Sequence, residues 1–585
     1  MGLRRRVAAT AVALVAVTLA ACAPALPESV VPGTHAVVGV TGEVTSSNPL
    51  ASPTPANLEL AAATRAGFGA MVDGEFVPDP SFGAVTISGD DPFIVRYDLA
   101  EPSWSDGTPV DAADLLLGWA WAAGILPADD ADAGAEAEAT DTGTEASLEP
   151  EMAGVPELDE FGRAIVVRFA APTMLWQTAV MAQVPAHIVG RLAFGLGDAM
   201  EAKQAVVRAI EDDDAAALAK IGEAWDEGFA WGEGDDPSSD LLLSSGPYRV
   251  DGVTRDAAGQ SVSLVPNTAY RGGAAAQVAR VDLVPAGADA VAEVGARLDV
   301  VQVPPTAAND APIHQLERRD ATVVTTHDGT VWSLLLRPAG VLADAAARAA
   351  FLRLAPVGDM VDRGAGPWAA AYAKTTSMLA MPGSRAFDVV AEDSGFATAL
   401  GTPADDAALD REAAGVPAGA TVCVLYDRAS PFAAGAFAAL RDAAAEAGWT
   451  VTDCGADEID AALAQGGWVA ALARVPIPQS PAQIAEQWGS TSTTALTLQA
   501  DAERDTLIAQ YAHTVDVYDS RDLLAQIEAT IVRAAVARPI AMNPVVTLAD
   551  RDVTGVAARN GPGPMLLPGI AQWSAAVDAT AVTAP

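Results

Sequence analysis

The stretch Trp104-Ser105-Asp106-Gly107-Thr108-Pro109-Val110-Asp111-Ala112-Ala113-Asp114 constrains the fold more than any other part of the chain. Physically it reads as a strand end, a turn and a helix start. Asp106-Gly107 is a turn pair in which Gly is free to take a positive φ. Asp111 suits a helix N-cap, and Asp114 places negative charge in the first turn. The apolar run Leu115-Leu116-Leu117 with Trp119 follows. At 585 residues the chain is too long for one compact core, so two or three domains are expected.

A hydrophobic content of 51%, with Gly and Pro spread throughout, describes a folded protein. The formal net charge of −42 argues against a nucleic-acid or anionic-lipid surface as partner. Residues 1–22 read as a targeting segment, with Arg4-Arg5-Arg6 as the charged start and Val7 to Leu19 as the apolar core. That apolar run is short for a membrane span. Leu19-Ala20-Ala21-Cys22 resembles a bacterial lipobox, which implies cleavage before Cys22, lipidation of its thiol and anchorage on the extracellular face of the cytoplasmic membrane. An ordinary signal peptide with an incidental Cys is the alternative. No later stretch offers 18 uninterrupted apolar residues.

With Cys22 lipidated, Cys423 and Cys454 remain as a pair in an oxidising compartment. Thr421-Val422-Cys423-Val424-Leu425-Tyr426 reads as a buried strand. Ser430 and Pro431 then open a helix that Gly448 ends, and Trp449 to Cys454 reads as the next strand. Consecutive parallel strands lie about 4.8 Å apart, within the reach of a disulfide. A Cys423–Cys454 bridge is expected, with two free buried thiols as the alternative. Residues 127–160 hold no aromatic and no basic residue and read as a flexible acidic loop. They lack the spacing of a calcium loop.

Trp104 to Asp114 closely resembles the signature of the family 5 solute-binding proteins of ABC importers, the oligopeptide- and dipeptide-binding group. Further markers follow in order. Val184-Pro185-Ala186-His187 resembles a Pro-x-His element, and Ser244 to Val250 a "GPY" strand. Pro266 to Gly273 resembles an "N-x-x-Y" turn, and Ala296 to Val301 the segment before the crossing to the second lobe. Asp344 to Met360, with Arg348, resembles a "D-x-x-V-R-x-A" helix, and Ala537 to Ile540 a late strand start. The resemblance spans about residues 35 to 575. It implies an α/β, two-lobe periplasmic-binding-protein-like fold with an extra small subdomain. The expected divisions are 1–22 leader, 23–33 tether, 34–56 lobe I, 57–163 small subdomain and 164–302 lobe I again. Lobe II is expected over 303–545, and 546–585 as the return to lobe I with a C-terminal tail.

Chemistry of other kinds is not signalled. There is no G-x-S-x-G elbow, no phosphate loop, and no G-x-G-x-x-G after a strand. The histidines at 35, 187, 314, 327 and 513 never share one helix face, so no metal helix is expected. Neither an enzyme activity nor a cofactor is expected. The resemblance implies a monomeric receptor that takes a short peptide between two lobes by hinge closure and hands it to ABC permease subunits. A non-peptide solute, or sensing without a dedicated permease, is the other reading. Expected ligand contacts are Trp332, on a strand where the family places aromatic pocket residues, Glu43 and Asn48 after the first strand, and Arg474 at a strand end. The family's oligopeptide-binding members carry an Asp in the loop after Arg474. Here Ile477 stands at or near that place, so a ligand with a free N-terminus would be held otherwise or is not the ligand.

Overall fold

The structure is a computed structural model that describes residues 26–72, 74–127, 148, 150–232, 236–256, 259–402 and 406–577. The expected leader, Cys22, most of the acidic loop and the end of the tail lie outside the described residues. The strands run in chain order. β1 (Val31–Val40) is followed by the hairpin β2 (Gly69–Val72) and β3 (Glu75–Pro78). β4 (Gly83–Asp90), β5 (Phe93–Leu99), β6 (Glu157–Leu158) and β7 (Ala164–Phe169) form a four-stranded antiparallel sheet. β8 (Tyr248–Asp256), β9 (Gly259–Pro266), β10 (Val278–Pro285) and β11 (Val300–Val303) complete the first lobe with β1. β12 (Thr322–Leu336), β13 (Ala420–Tyr426), β14 (Trp449–Asp453), β15 (Ala470–Pro476) and β16 (Ala537–Ala549) build the second. β17 (Val553–Thr554) and β18 (Ser574–Ala575) close the chain back on lobe I.

The two lobes share one ten-stranded sheet, in the order β14-β13-β15-β12-β16-β11-β1-β10-β9-β8. Two long strands make the crossing. β16 pairs with β11 over its last residues (Val303↔Val546, Val300↔Ala549) and with β12 along most of its length (Thr322↔Ala549 to Leu335↔Ala537). Side chains alternate across this sheet. Trp332, Leu334 and Leu336 point into a core with Phe351, Phe432 and Phe437. Val331 and Leu335 point to the other face, against Ile484, Trp488, Ile508 and Ile527. Lobe II is thus helix, sheet, helix, which suits strands buried on both faces.

The small subdomain has its own core, and its limits differ from the expected 57–163. The helix Pro55–Thr64 packs its Ala56, Leu60 and Ala63 into the lobe I core with Val38 and Leu567. At the other end, β7 pairs with β5 from Phe93↔Phe169 to Asp98↔Ala164, so the expected boundary at 163 falls inside a sheet. The helices Ala186–Phe194, Ala199–Glu211 and Ala215–Asp226 also bury their apolar faces on Leu116, Trp119 and Val167. The far end of the segment 127–160, expected to be a flexible loop throughout, is part of the sheet. Met152 bridges to Phe169, and Glu157 and Leu158 pair with β7, because the apolar residues of that end add to the sheet.

The signature is built as a capping box. Asp111 accepts from Ala113 N, and Asp114 Oδ2 accepts from Asp111 N at 2.9 Å, at the start of the helix Ala112–Ala122. Asp114 Oδ1 also accepts from Ala186 N at 2.8 Å, so the Pro-x-His element docks on the signature. His187 is buried there, with Nε2 3.1 Å from Asp106 Oδ2, and burial lowers its pKa. Asn267 of the N-x-x-Y turn donates to Gly246 O at 2.9 Å, tying the turn to the GPY strand. The expected Asp344–Met360 helix is two, Ala345–Arg353 and Val357–Ala365, interrupted at Pro356. Cys423 and Cys454 are joined, their Cα atoms 5.7 Å apart.

Candidate functional site

Between the lobes lies a cavity of about 470 Å³ with walls from both sides. Lobe I and its subdomain supply the β2–β3 hairpin (Met71, Glu75, Phe76) and the segment through Trp176 and Gln177. Lobe II supplies Arg385, Gln479 and the first turns of the helix Val517–Ala534 with Val517, Tyr518 and Arg521. The hairpin tip needs Gly74 at φ 79°, and it carries Glu75 towards lobe II. Arg385 opens the helix Arg385–Asp393, which Ser384 caps. Asp516 caps the helix that carries Arg521. Both cations therefore sit on helix starts whose direction is fixed by a side-chain cap.

Several contacts run across the cavity from one lobe to the other. Arg521 is hydrogen-bonded to Glu75, and Arg385 Nε lies 3.8 Å from the same carboxylate. Met174 N donates to Ala512 O at 3.1 Å, and His513 Nδ1 lies 2.9 Å from Pro172 O. None of these groups is on the crossing strands β11, β12 or β16. Another cavity, of about 440 Å³, is lined by Arg65, Tyr270, Arg559 and Pro568 and has walls only from the lobe I side.

Of the expected ligand residues, Trp332 and Arg474 are brought together across β12 and β15, whereas Asn48 and Glu43 lie apart from them. Asn48 is fully buried; its side chain donates to Trp225 O at 2.8 Å and its Oδ1 accepts from Leu50 N. It pins the loop after β1 from inside. Glu43 lies 3.6 Å from Arg255 on β8 and lines neither cavity. Trp332 is buried against Phe432, ring centroids 4.7 Å apart, and donates from Nε1 to Asn543 Oδ1 at 3.0 Å. Arg474, paired opposite Trp332 across β12 and β15, is half exposed and 3.7 Å from Asp328.

Sequence reasoning passed over Asp328 and Asn543. Asn543 donates to Asp328 Oδ2 at 2.7 Å, which completes a chain Trp332–Asn543–Asp328–Arg474 on the lobe II side. A break in the β12–β16 register between His327 and Val331 re-aims Asp328. Tyr372 stacks on Phe432, and burial pushes its hydroxyl up to about 12, with Asp328 adding and Arg474 opposing. Ile477, where an acid was looked for, is buried, and its N–H donates to Gly329 O at 2.8 Å. That bond sets it beside Asp328 in space. Among the described residues no group of three or more His, Cys, Asp or Glu is placed to hold a metal ion, and no helix is long and apolar enough to cross a membrane.

No family model matches the chain. It is 28% identical over 545 residues to an uncharacterized lipoprotein of Mycobacterium tuberculosis (strain ATCC 25618 / H37Rv), covering 89% of this chain and 88% of that one. An uncharacterized lipoprotein of Mycobacterium leprae (strain TN) is 30% identical over 375 residues, 61% of this chain and 60% of the relative. Among solved structures, the periplasmic EDTA-binding protein EppA is similar with a TM-score of 0.71 at 18% identity, over 93% of this chain and 97% of that one. The ABC transporter substrate-binding protein CtaP from Listeria monocytogenes gives 0.67 at 16% identity, over 93% and 99%. The oligopeptide-binding protein AppA from Bacillus subtilis, in complex with a nonapeptide, gives 0.58 at 13%, over 93% and 99%. The chain has the two-lobe fold of these periplasmic binding proteins, and its relatives by sequence are lipoproteins.

Proposed function

We propose that the chain is a lipid-anchored extracytoplasmic receptor of an ABC importer that captures a small solute, of the size of a short peptide, between its lobes. The observation that carries this reading is the cavity lined from both lobes, bridged by contacts on elements separate from the crossing strands. A ligand that touches both walls stabilises the closed arrangement by its differential contacts, and a permease can read closure at the lobe rims. The lipoprotein relatives support anchorage through Cys22, and the structural neighbours support binding without turnover.

A non-peptide solute is the second reading. It is favoured by the missing acid at Ile477 and by neighbours described as binding EDTA or a nickel–histidine complex as well as peptides. Native mass spectrometry of the chain from Ala23, purified without denaturation, tests both. A ladder of short-peptide masses is expected for the first reading and a single non-peptide mass for the second. A bare protein that also shows no thermal shift with peptide pools would overturn solute capture and favour a sensing role.

A further inference from the structure

The cavity carries an uneven charge. Arg521 and Arg385 from lobe II share the single carboxylate of Glu75 from lobe I. Arg521 is committed to it, with its side chain only 11% exposed. Arg385 is 73% exposed, and its one ion pair among the described residues is the long contact to Glu75. One guanidinium therefore faces the cavity without a close counter-ion, in a chain whose net charge is −42. Around it, Met71, Val517 and Tyr518 stay exposed as large apolar groups, and Phe76, Leu175 and Trp176 line the same space.

We infer that this cavity takes an organic anion with an apolar body, its carboxylate seated on Arg385 and Arg521 where the Glu75 carboxylate now sits. The inference rests on the receptor reading and names its ligand class. A planar guanidinium matches a carboxylate in two-point geometry, and the seat already holds one. Glu75 is then an internal counter-ion. It neutralises the cations when no ligand is bound and competes with the ligand when one arrives. The apolar lining covers the body, and Gln177 and Gln479 offer polar contacts.

This assignment fixes the sign of a substitution that a simple interlobe clasp would reverse. If Glu75 only held the lobes shut, Glu75→Gln would weaken binding of every ligand; as a competitor, its loss strengthens binding of an anion. The probes are N-acetyl-leucyl-phenylalanine and its C-terminal amide, which differ by one charge. They are titrated calorimetrically into the chain from Ala23, which contains every described residue, after stripping of bound solute. The acid is expected to bind about tenfold more tightly than the amide, the size of one charge-assisted contact. Arg385→Gln is expected to remove that preference and Arg385→Lys to keep part of it. Glu75→Gln is expected to tighten the acid several-fold, about the effect of removing one nearby like charge, and to leave the amide unchanged. Thermal melts of each variant confirm folding. Equal binding of acid and amide, binding of neither, or a loss of acid binding in Glu75→Gln would overturn the inference. A solute found by mass spectrometry alongside any of those outcomes would leave the receptor reading standing.

Discussion

Lys203 holds the signature together, and its removal has a computable cost. Its ammonium lies 2.8 Å from Asp114 Oδ2, 3.0 Å from Asp111 Oδ2 and 2.7 Å from Pro109 O, with the side chain 3% exposed. Burial opposes the charge, but Asp114 and then Asp111 outweigh it, so the ammonium is held above its usual range. Coulomb's law at an effective dielectric near 20 gives about 5–6 kcal/mol for each such pair before desolvation. Removing one partner of a buried ion pair costs about 3–5 kcal/mol, because the other charge stays buried. Lys203→Met is therefore expected to lose about that much in urea denaturation near pH 7.5. Amide exchange should rise first in the helix Ala112–Ala122 and in the docked 186–194 helix.

The variant also carries a pH signature. Burial, and then Asp114, already raise Asp111. Without the cation that opposes this, Asp111 is raised further above its unfolded value. Such a group contributes stability below the unfolded pKa and loses it as pH rises through the folded one. Lys203→Met should accordingly recover stability on going from pH 7.5 to 5, more than the parent does. Asp114→Asn added to Lys203→Met should recover part of the loss at pH 7.5. A cost below about 1 kcal/mol, or no pH dependence of the difference, would refute the reasoning.

Other expectations concern lobe II. Glu528 is fully buried, accepts from Ser377 Oγ, Met378 N and Leu379 N, and is pushed by burial from its ordinary 4.5 up to about 7. Its contribution to stability is complete below pH 4.5 and lost as pH rises through 7, up to about 3 kcal/mol, and Glu528→Gln should flatten that slope in denaturation curves. The Cys423–Cys454 bridge closes a loop of 31 residues, so its removal by Cys423→Ala with Cys454→Ala should cost about 4 kcal/mol of lobe II stability in chemical denaturation. Trp332→Phe keeps the ring against Phe432 and loses the donor to Asn543, for about 1 kcal/mol, whereas Trp332→Ala should cost about 3–5 kcal/mol in the same assay.

The fold was legible because its markers are local. The N-cap at Asp111, the Pro-x-His element and the Asn267 turn each draw on residues within a few positions, and the structure builds a local feature at each: a cap, a helix start and a side-chain-tied turn. Their partners were not legible. Lys203 stands on a helix that looks like any other amphipathic helix, 89 residues from Asp114. The subdomain boundary was misplaced because strand pairing, unlike strand existence, is a long-range choice, and β5 closes on β7 across the acidic insert. The site was least visible. Glu75 and Arg521 meet across 446 positions, and each alone reads as a solvated charge near a turn or a helix start. Asn48 looked like a cleft residue because it follows the first strand, yet its amide satisfies a buried carbonyl instead.

The central claim, capture of a solute by closure of two lobes, is tested most directly by measuring the distance between them. Spin labels on Thr254→Cys in β8 and Glu446→Cys at the end of the helix Pro431–Glu446 sit on exposed positions of opposite lobes. Pulsed electron resonance on the stripped protein should give a broad distribution with a longer component. Addition of the solute recovered from the native protein should collapse it to one shorter distance. An unchanged distribution at saturating solute would contradict the account.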